Sequence, residues 1–312
     1  MVEMREIGSS GIEVAPLALG GNVFGWTADE ATSFTLLDAF VDAGGTMIDT
    51  ADVYSAWVEG HEGGESETVI GKWLGKTGKR NEVVIATKTG MMQGLKPDQV
   101  AAACDASLAR LGVETIDLYY LHKDDGDTPL EDTLGAYDAL VKAGKVRCVG
   151  LSNFTPERID EAMRIAETNG LARPQALQPW YNLVERARYE DELRPAAEQA
   201  GLSVFPYYGI ANGFLTGKYR SKDDLDKSPR GLRNIGYLEG KGARVLAVMD
   251  EIAGETGAAL ATIALSWLKA QPTIGAPIAS ATSLAQLSEL TESLVFDLSQ
   301  DQLARLDEAS AG

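Results

Sequence analysis

Apolar positions along the chain follow two alternating spacings. In one, apolar residues recur every three or four positions, as at Val100, Cys104, Leu108 and Leu111, and further stripes of this kind lie at 130–141 and 284–294. Between the stripes lie short apolar, β-rich runs at 17–20, 46–49, 83–88, 118–122, 146–151, 176–178, 202–207 and 273–277. The pattern therefore predicts eight strands in alternation with helices.

Eight such units without a break in composition favour a closed (β/α)8 TIM barrel over an open doubly wound sheet. An open dinucleotide-binding sheet would show Gly-x-Gly-x-x-Gly after its first strand, and residues 20–25, Gly-Gly-Asn-Val-Phe-Gly, do not fit. Residues 5–15, with a turn at 8–11, predict an N-terminal β-hairpin. We expect a single domain over 1–312, with extra helices at the C-terminal end.

Helix starts carry local signals. Thr155-Pro156 places proline at the first helical position, and residues 128–131 and 283–286 fit the capping-box pattern. Residues 209–240, rich in Gly, Lys, Arg and Asp, predict a long segment outside the repeat, and such segments are usually functional.

Composition narrows the classes of partner. The 312 residues are 45% hydrophobic and 24% charged, and the net charge of −18 repels nucleic-acid phosphates and anionic lipids. No apolar run approaches the roughly 20 residues of a membrane helix, and the first residues lack the apolar core of a signal peptide. Cys104 and Cys148 have no partner at metal-ligand spacing and are interpreted as buried thiols. We expect a cytoplasmic protein without nucleic-acid or membrane partners.

Candidate chemistry lies where the predicted strands end. Asp49 and Tyr54 follow the second strand, Lys88 ends the third and His122 ends the fourth. The C-terminal ends of barrel strands meet at one mouth, so we expect these four side chains to lie together. A tyrosine hydroxyl can donate a proton, and a nearby ammonium favours its phenolate. Asp49 would hold Lys88, and His122 would hydrogen-bond a substrate oxygen.

Each of these residues also has a purely structural interpretation. Asp49 and Lys88 would serve equally as an ordinary ion pair, and Tyr54 as a packing residue; the combination favours catalysis. His61 lies in a Gly- and Glu-rich loop and is expected to be exposed. One clustered histidine does not suit a multi-histidine metal site, so no metal is expected.

The order and spacing of these motifs resemble those of the aldo-keto reductase family over essentially the whole chain. The matching segments are residues 49–54 (Asp-Thr-Ala-Asp-Val-Tyr), Lys88, residues 118–122 (Leu-Tyr-Tyr-Leu-His), residues 144–147 with 150–154, Gln178, and residues 213–219 (Gly-Phe-Leu-Thr-Gly-Lys-Tyr). The resemblance implies reversible hydride transfer between a nicotinamide cofactor and a carbonyl compound. It implies that Tyr54 is the general acid, that Lys88 and Asp49 adjust its pKa, and that His122 polarises the carbonyl.

The resemblance also implies a cofactor site. Ser152, Asn153 and Gln178 would bind the nicotinamide carboxamide, and Tyr207 would stack on the ring. The diphosphate would run along Gly213, Leu215, Gly217 and Lys218, where glycines permit close backbone approach.

The sequence departs from the family pattern at the start of the last barrel helix. Relatives that use NADP usually place Lys or Arg there, on the ribose 2′-phosphate, whereas residues 277–286 contain neither. Ser280, Thr282, Gln286 and the helix N-terminus are the groups left for a phosphate. The implied cofactor is NADP(H), with NAD(H) as the alternative, and we expect weak discrimination between them.

The predicted substrate pocket is formed by aromatic residues and one cation near the strand ends. Phe24, Trp26 and Trp57 come from loops above the first two strands and would line it. Lys123 would favour a polar or anionic substrate, or would pair with the adjacent Asp124 and Asp125, which we expect instead. Aromatic faces with scattered carboxylates suit sugar-like carbonyl compounds. The alternatives are a sugar or alcohol dehydrogenase working oxidatively, and a cofactor-binding subunit with little turnover, similar to those of potassium channels.

Overall fold

The computed structural model describes residues 2–228 and 231–311. Its strands are β1 Arg5–Glu6, β2 Glu13–Val14, β3 Ala18–Gly20, β4 Met47–Asp49, β5 Val84–Thr89, β6 Ile116–Leu121, β7 Val146–Ser152, β8 Pro174–Gln178, β9 Ser203–Val204 and β10 Ile278–Ala279. Its α-helices are α1 Glu30–Asp42, α2 Glu65–Thr77, α3 Pro97–Leu111, α4 Leu130–Lys142, α5 Pro156–Asn169, α6 Arg194–Ala200, α7 Lys241–Thr256, α8 Leu260–Lys269, α9 Leu284–Glu292 and α10 Gln300–Ser310. Among these residues, no helix is both long and apolar enough to cross a membrane.

The strands β3 to β10 form one parallel sheet in the order β10-β3-β4-β5-β6-β7-β8-β9. Backbone hydrogen bonds close the sheet between its two ends, from Val204 N to Thr273 O at 2.9 Å and from Ile278 N to Pro206 O at 2.9 Å. Strands β1 and β2 pair as an antiparallel hairpin. The predicted (β/α)8 barrel with an N-terminal hairpin is confirmed, with α9 and α10 following the last strand.

The eighth strand lies a few residues beyond its predicted position. It was expected at 273–277, but in that stretch only Ile274 pairs, through an isolated parallel bridge to Val204, and β10 begins at Ile278. The cause is local: Thr273 has a positive φ of 68°, and Pro277 has no N–H to donate to a ladder. The regular ladder of the eighth strand therefore begins only after Pro277, although residues 273–275 already bond to Val204.

The hairpin closes the N-terminal end of the barrel. Ile7, Ile12 and Val14 are buried against residues of the barrel interior, including Met47 and Leu118. A larger apolar cluster fills the space between the sheet and the surrounding helices. This arrangement leaves the C-terminal strand ends to form the site, as is usual for the fold.

Two of the helix-start predictions had different outcomes. Thr155 caps α5 by accepting from Arg158 N, with Pro156 as the first helical residue, as predicted. The capping box at 128–131 was wrong, because Thr128 hydrogen-bonds instead to the carboxylate of Asp125 at 2.9 Å, and α4 begins at Leu130. The competing turn at Asp125 uses the hydroxyl that a cap requires.

Candidate active site

A cleft of about 640 Å³ opens at the C-terminal ends of the barrel strands. Predicted site residues that line it are Asp49, Tyr54, His122, Ser152, Asn153, Gln178, Tyr207, Gly213, Ser280, Trp26, Trp57 and Lys123. The strands deliver these side chains because β4, β7 and β8 end at Asp49, Ser152 and Gln178. The sequence thus brought most of the expected residues to one place.

Lys88 lies behind Tyr54 at the base of the cleft. Its Nζ donates to Asp49 Oδ2 at 2.8 Å, to Thr50 O at 2.6 Å and to Tyr54 OH at 3.2 Å. The second carboxylate oxygen of Asp49 accepts from Gln178 Nε2 at 2.9 Å. Lys88 is fully buried and Asp49 is 2% exposed. The ammonium therefore sits in a fixed position directly beside the tyrosine hydroxyl.

Burial and charge oppose each other at these two groups. Burial lowers the pKa of Lys88, but the charge of Asp49 and the contact with Tyr54 outweigh it, and the pKa is raised. Burial raises the pKa of Tyr54, and the ammonium of Lys88 only partly offsets this effect. Lys88 does favour the phenolate, as expected, but its effect on the pKa of Tyr54 is smaller than that of burial. Tyr54 is held in its protonated form.

His122 stands across the cleft from Tyr54, with ring centroids 6.2 Å apart. Burial, followed by the positive charges of Lys88 and Lys123, lowers the pKa of His122 to about 3. The imidazole is therefore neutral throughout the physiological range and has one N–H to donate. Its Nδ1 has no hydrogen-bond partner among the described residues.

The loop that carries Tyr54 folds around Glu65. The Glu65 carboxylate accepts from Ser55 N at 3.1 Å, from Glu62 N at 2.8 Å and from Gly63 N at 3.0 Å. His61, expected to be exposed, is half-buried, and its Nδ1 lies 2.8 Å from Ser55 Oγ. These bonds fix the residue that follows Tyr54.

The residues expected to hold a nicotinamide are hydrogen-bonded to one another and to the backbone of His122. Asn153 Nδ2 donates to His122 O at 2.9 Å, and Asn153 Oδ1 accepts from Tyr207 OH at 2.7 Å. Ser152 Oγ donates to Gln178 O at 3.0 Å. Asn153 has a positive φ of 57°, which asparagine tolerates better than most residues. An amide-rich surface with one aromatic ring results.

The predicted diphosphate segment forms a tight turn beside the cleft. Gly213 has φ 87°, and a Cβ there would lie 2.9 Å from Nζ of Lys218. Lys218 is half-buried, with Nζ 5.1 Å from the centre of the Tyr219 ring. The amides of Gly213 and Leu215 donate to Ile210 O within the turn. The turn therefore combines a cation with a glycine at which a Cβ would not fit.

In the same turn, Gly217 N donates to Phe214 O at 3.0 Å, and the Leu215 side chain is fully buried. The internal bonds engage the backbone donors that were expected to face a diphosphate. The Lys218 ammonium remains as the charged donor of this segment.

The predicted 2′-phosphate residues bond to one another at the start of α9. Thr282 donates to Gln286 Oε1 from its N at 2.9 Å and from its hydroxyl at 3.1 Å. Ser280 Oγ donates to Asn22 Oδ1 at 2.7 Å, and Ser283 caps the helix. Of this group, only Ser280 lines the cleft.

Of the aromatic residues predicted for the substrate pocket, Trp26 and Trp57 line the cleft and Phe24 does not. Trp57 packs edge-to-face against Tyr54 and against Trp26, each at 5.7 Å between ring centroids. Phe24 is fully buried in the hydrophobic core and does not line the cleft. Its backbone pairs with that of Ala28 through an isolated bridge.

Lys123 is exposed and lines the cleft. The expected pairing with its neighbours is wrong, because both carboxylates bond elsewhere. Asp124 accepts from Arg158 at 2.6 and 2.9 Å, and Asp125 accepts from Leu95 N at 2.9 Å and from Thr128. The ammonium of Lys123 is left at the mouth.

Several lining residues were not anticipated from the sequence. Trp180 packs against Tyr207 and Tyr208, and Arg233 reaches the cleft from a short helix at Gly231–Tyr237. Trp180 lies two residues beyond Gln178, so its position after a strand was an available signal. Arg233 had none beyond its place in the long 209–240 segment.

Comparison with known proteins gives consistent matches. The model of the "Aldo/keto reductase family" matches residues 16–311. An "Uncharacterized oxidoreductase YrpG" of Bacillus subtilis (strain 168) is 31% identical, covering 100% of this chain and 97% of the relative. "Aldo-keto reductase yakc [NADP(+)]" of Schizosaccharomyces pombe is 30% identical, covering 99% and 91%. A "Probable voltage-gated potassium channel subunit beta" of Oryza sativa subsp. japonica is 30% identical, covering 94% and 91%.

Proposed function

The chain belongs to the aldo/keto reductase family, and on that premise we propose that it reduces the carbonyl group of an aldehyde, ketone or sugar-like compound, with Tyr54 as the proton donor. The family consists of oxidoreductases that use a nicotinamide cofactor with small carbonyl compounds. The observation that carries the proposal is the Tyr54 hydroxyl at the cleft, 3.2 Å from the buried Lys88 ammonium.

The charges around Tyr54 suit proton donation. Its raised pKa keeps the hydroxyl protonated at neutral pH, so the proton is available when a carbonyl oxygen gains charge. Once the proton leaves, the phenolate faces the Lys88 ammonium, which stabilises it without any rearrangement. Asp49, 2.8 Å from that ammonium, holds it in place.

His122 is suited to hold the same oxygen. As a neutral imidazole it donates one hydrogen bond and does not compete with Tyr54 as an acid. Fixed donors of this kind, aimed where negative charge develops, lower the barrier most effectively in a site that excludes water. We expect the substrate oxygen to lie between the two side chains.

When bound, the nicotinamide cofactor supplies the hydride that the carbonyl carbon accepts. We assign its carboxamide to Ser152, Asn153 and Gln178 and its ring face to Tyr207, all of which line the cleft. The half-buried Lys218, beside a glycine that leaves no room for a Cβ, is the donor for the diphosphate. The donor set therefore fits this class of cofactor.

The preferred cofactor is a separate hypothesis. Residues 277–286 carry no cation, and Thr282 uses both donors on Gln286. We predict dissociation constants for NADPH and NADH that differ little, measured by fluorescence titration of each. Tighter binding of NADPH by several orders of magnitude would refute this hypothesis. The name of the S. pombe relative, which carries "[NADP(+)]", is an observation against it.

The deciding experiment follows NADPH and NADH oxidation with aldehydes, ketones, quinones and ketosugars, together with the reverse reaction on sugars and alcohols. Tyr54→Phe should lower kcat by a factor of about 10² to 10⁴ and leave cofactor binding nearly intact. Tyr208→Phe, which removes a hydroxyl from the same cleft, is the matched control and should change kcat little. Unchanged turnover in Tyr54→Phe would remove this residue from the mechanism.

A second candidate function is a cofactor-binding regulatory subunit with little turnover, favoured by the similarity to the rice protein named as a potassium channel subunit. Cofactor binding without turnover across the whole panel would support it. Faster turnover with alcohols or sugars than with carbonyl compounds would instead identify a dehydrogenase.

A further inference from the structure

The charged side chains that line the cleft are unevenly distributed. Among its lining residues within 2–228 and 231–311, the one carboxylate is Asp49, and Lys88 neutralises it at 2.8 Å. Lys123 and Arg233 are the lining cations, and both are exposed. The mouth of the cleft is therefore cationic, although the chain as a whole carries −18.

Neither cation is neutralised by a carboxylate in the part of the chain that the structure describes. No carboxylate oxygen of these residues lies within 4.0 Å of Lys123 Nζ or of the Arg233 guanidinium. Asp124, the nearest acid in sequence to Lys123, is held by Arg158 at 2.6 Å. Among the described residues, Arg233 makes one long contact, from Nη1 to Tyr208 OH at 3.4 Å. Both side chains are thus available to an incoming anion.

The surroundings strengthen such an attraction. Trp26, Trp57 and Trp180 line the same cleft as the two cations, and apolar walls of low dielectric focus the field of charges in a cleft. The overall negative charge opposes this little at close range, because the Debye length is about 8 Å at physiological salt. An anion inside the cleft would respond chiefly to the two nearby cations.

We propose that the cleft selects carbonyl compounds that bear a second, anionic group, a carboxylate or a phosphate, and that Lys123 and Arg233 bind that group. This inference rests on the proposed carbonyl-reducing function and names its substrate class. Lys123 directly follows His122, so an anion on Lys123 would place the rest of the molecule beside the catalytic group. The diphosphate of the cofactor has its own cation in Lys218.

The test compares substrates with and without an anionic group, and the members of the first pair are also closely matched in shape. One pair is 4-carboxybenzaldehyde and 4-formylbenzamide, and the second is glyceraldehyde 3-phosphate and glyceraldehyde. We expect the wild-type kcat/KM to be higher for the anion in at least one pair, and the pair that shows the preference identifies the group. Higher salt should reduce the preference, since the charges lie at an exposed mouth.

Variants then assign the preference to residues. Lys123→Gln and Arg233→Gln should each lower the ratio of anionic to neutral kcat/KM about fivefold, the upper end for an exposed ion pair. Lys72→Gln, which removes the same charge from the outer surface on α2, is the control and should leave the ratio unchanged.

Each result has a distinct meaning. Equal or faster reduction of the neutral partner in both pairs overturns the inference and leaves carbonyl reduction standing. No reduction of any aldehyde contradicts the proposed function itself. If Arg233→Gln weakens NADPH binding and slows both members of each pair alike, Arg233 serves the cofactor and its part of the inference is overturned.

Discussion

Replacing Lys88 by methionine would remove a buried ammonium that donates to three acceptors in fixed positions. Asp49 Oδ2, Thr50 O and Tyr54 OH lie 2.8, 2.6 and 3.2 Å from its Nζ. Asp49 is 2% exposed, so its carboxylate would be left as an unpaired charge in the barrel. Breaking a buried ion pair in this way costs about 3–5 kcal/mol. The whole free energy of unfolding of a domain is about 5–15 kcal/mol, so the loss should be large.

The same change should also stop turnover, for a reason separate from stability. Without Lys88, burial and the charge of Asp49 both raise the pKa of Tyr54, and the phenolate formed on proton donation loses its stabilising cation. The double variant Asp49→Asn/Lys88→Met separates the two effects. It removes the unpaired charge and keeps an oxygen to accept from Gln178, so stability should recover by about 2 kcal/mol while turnover stays low.

Urea unfolding followed by circular dichroism measures the first effect, and NADPH oxidation at saturating substrate measures the second. The reasoning fails if Lys88→Met unfolds at the wild-type urea concentration, or if the double variant is less stable than the single one. Recovery of wild-type kcat in the double variant would show that the ion pair serves the fold and not the chemistry.

Two further predictions concern the pH dependence of turnover and the tight turn that contains Gly213 and Lys218. The kcat of carbonyl reduction should be constant through neutral pH and fall only as the pH rises past the pKa of Tyr54, which is raised above 10.0. The kcat of alcohol oxidation, which needs the phenolate, should instead rise with pH. A change in kcat centred near pH 6.5 would contradict a His122 pKa of about 3. Gly213→Ala should weaken cofactor binding and cost about 1–2 kcal/mol, because φ is 87° and the new Cβ would meet Lys218, as titration and urea unfolding would measure. Gly135→Ala in α4, where nothing lies within 4 Å of the added Cβ, is the control and should stabilise by up to about 1 kcal/mol; equal behaviour of the two variants would argue against a special role for the turn.

Features that depend on spacing could be predicted from the sequence. Asp49, Lys88 and His122 were placed at one mouth because each ends a short apolar run, and the closed barrel then allows few arrangements. The first strands were placed within a residue or two for the same reason. The eighth was misplaced because its position is decided by the missing N–H of Pro277 and the backbone of Thr273, which apolar spacing does not report.

Features that depend on competition between neighbours could not be predicted. Lys123 is followed in sequence by two acids, but in the folded chain Asp124 accepts from Arg158 and Asp125 accepts from the backbone at Thr128. Whether the pKa of Tyr54 is raised or lowered likewise depends on how deeply the side chain is buried, which residue identity alone does not give. Phe24 and Trp26 are two residues apart in one loop, and only the folded chain decides which faces the cleft.

The hairpin of β1 and β2 has a consequence for the order of events during synthesis. Arg5 donates to Ile274 O at 2.8 Å, a partner 269 residues later, and Gly8 N donates to Ser203 Oγ, 195 residues later. At about 5–20 residues per second, the ribosome adds those partners on the order of tens of seconds after the first strands leave it. These two hydrogen bonds cannot form before then, so the first segment of the chain to be made completes its contacts only after almost the whole barrel has been synthesised.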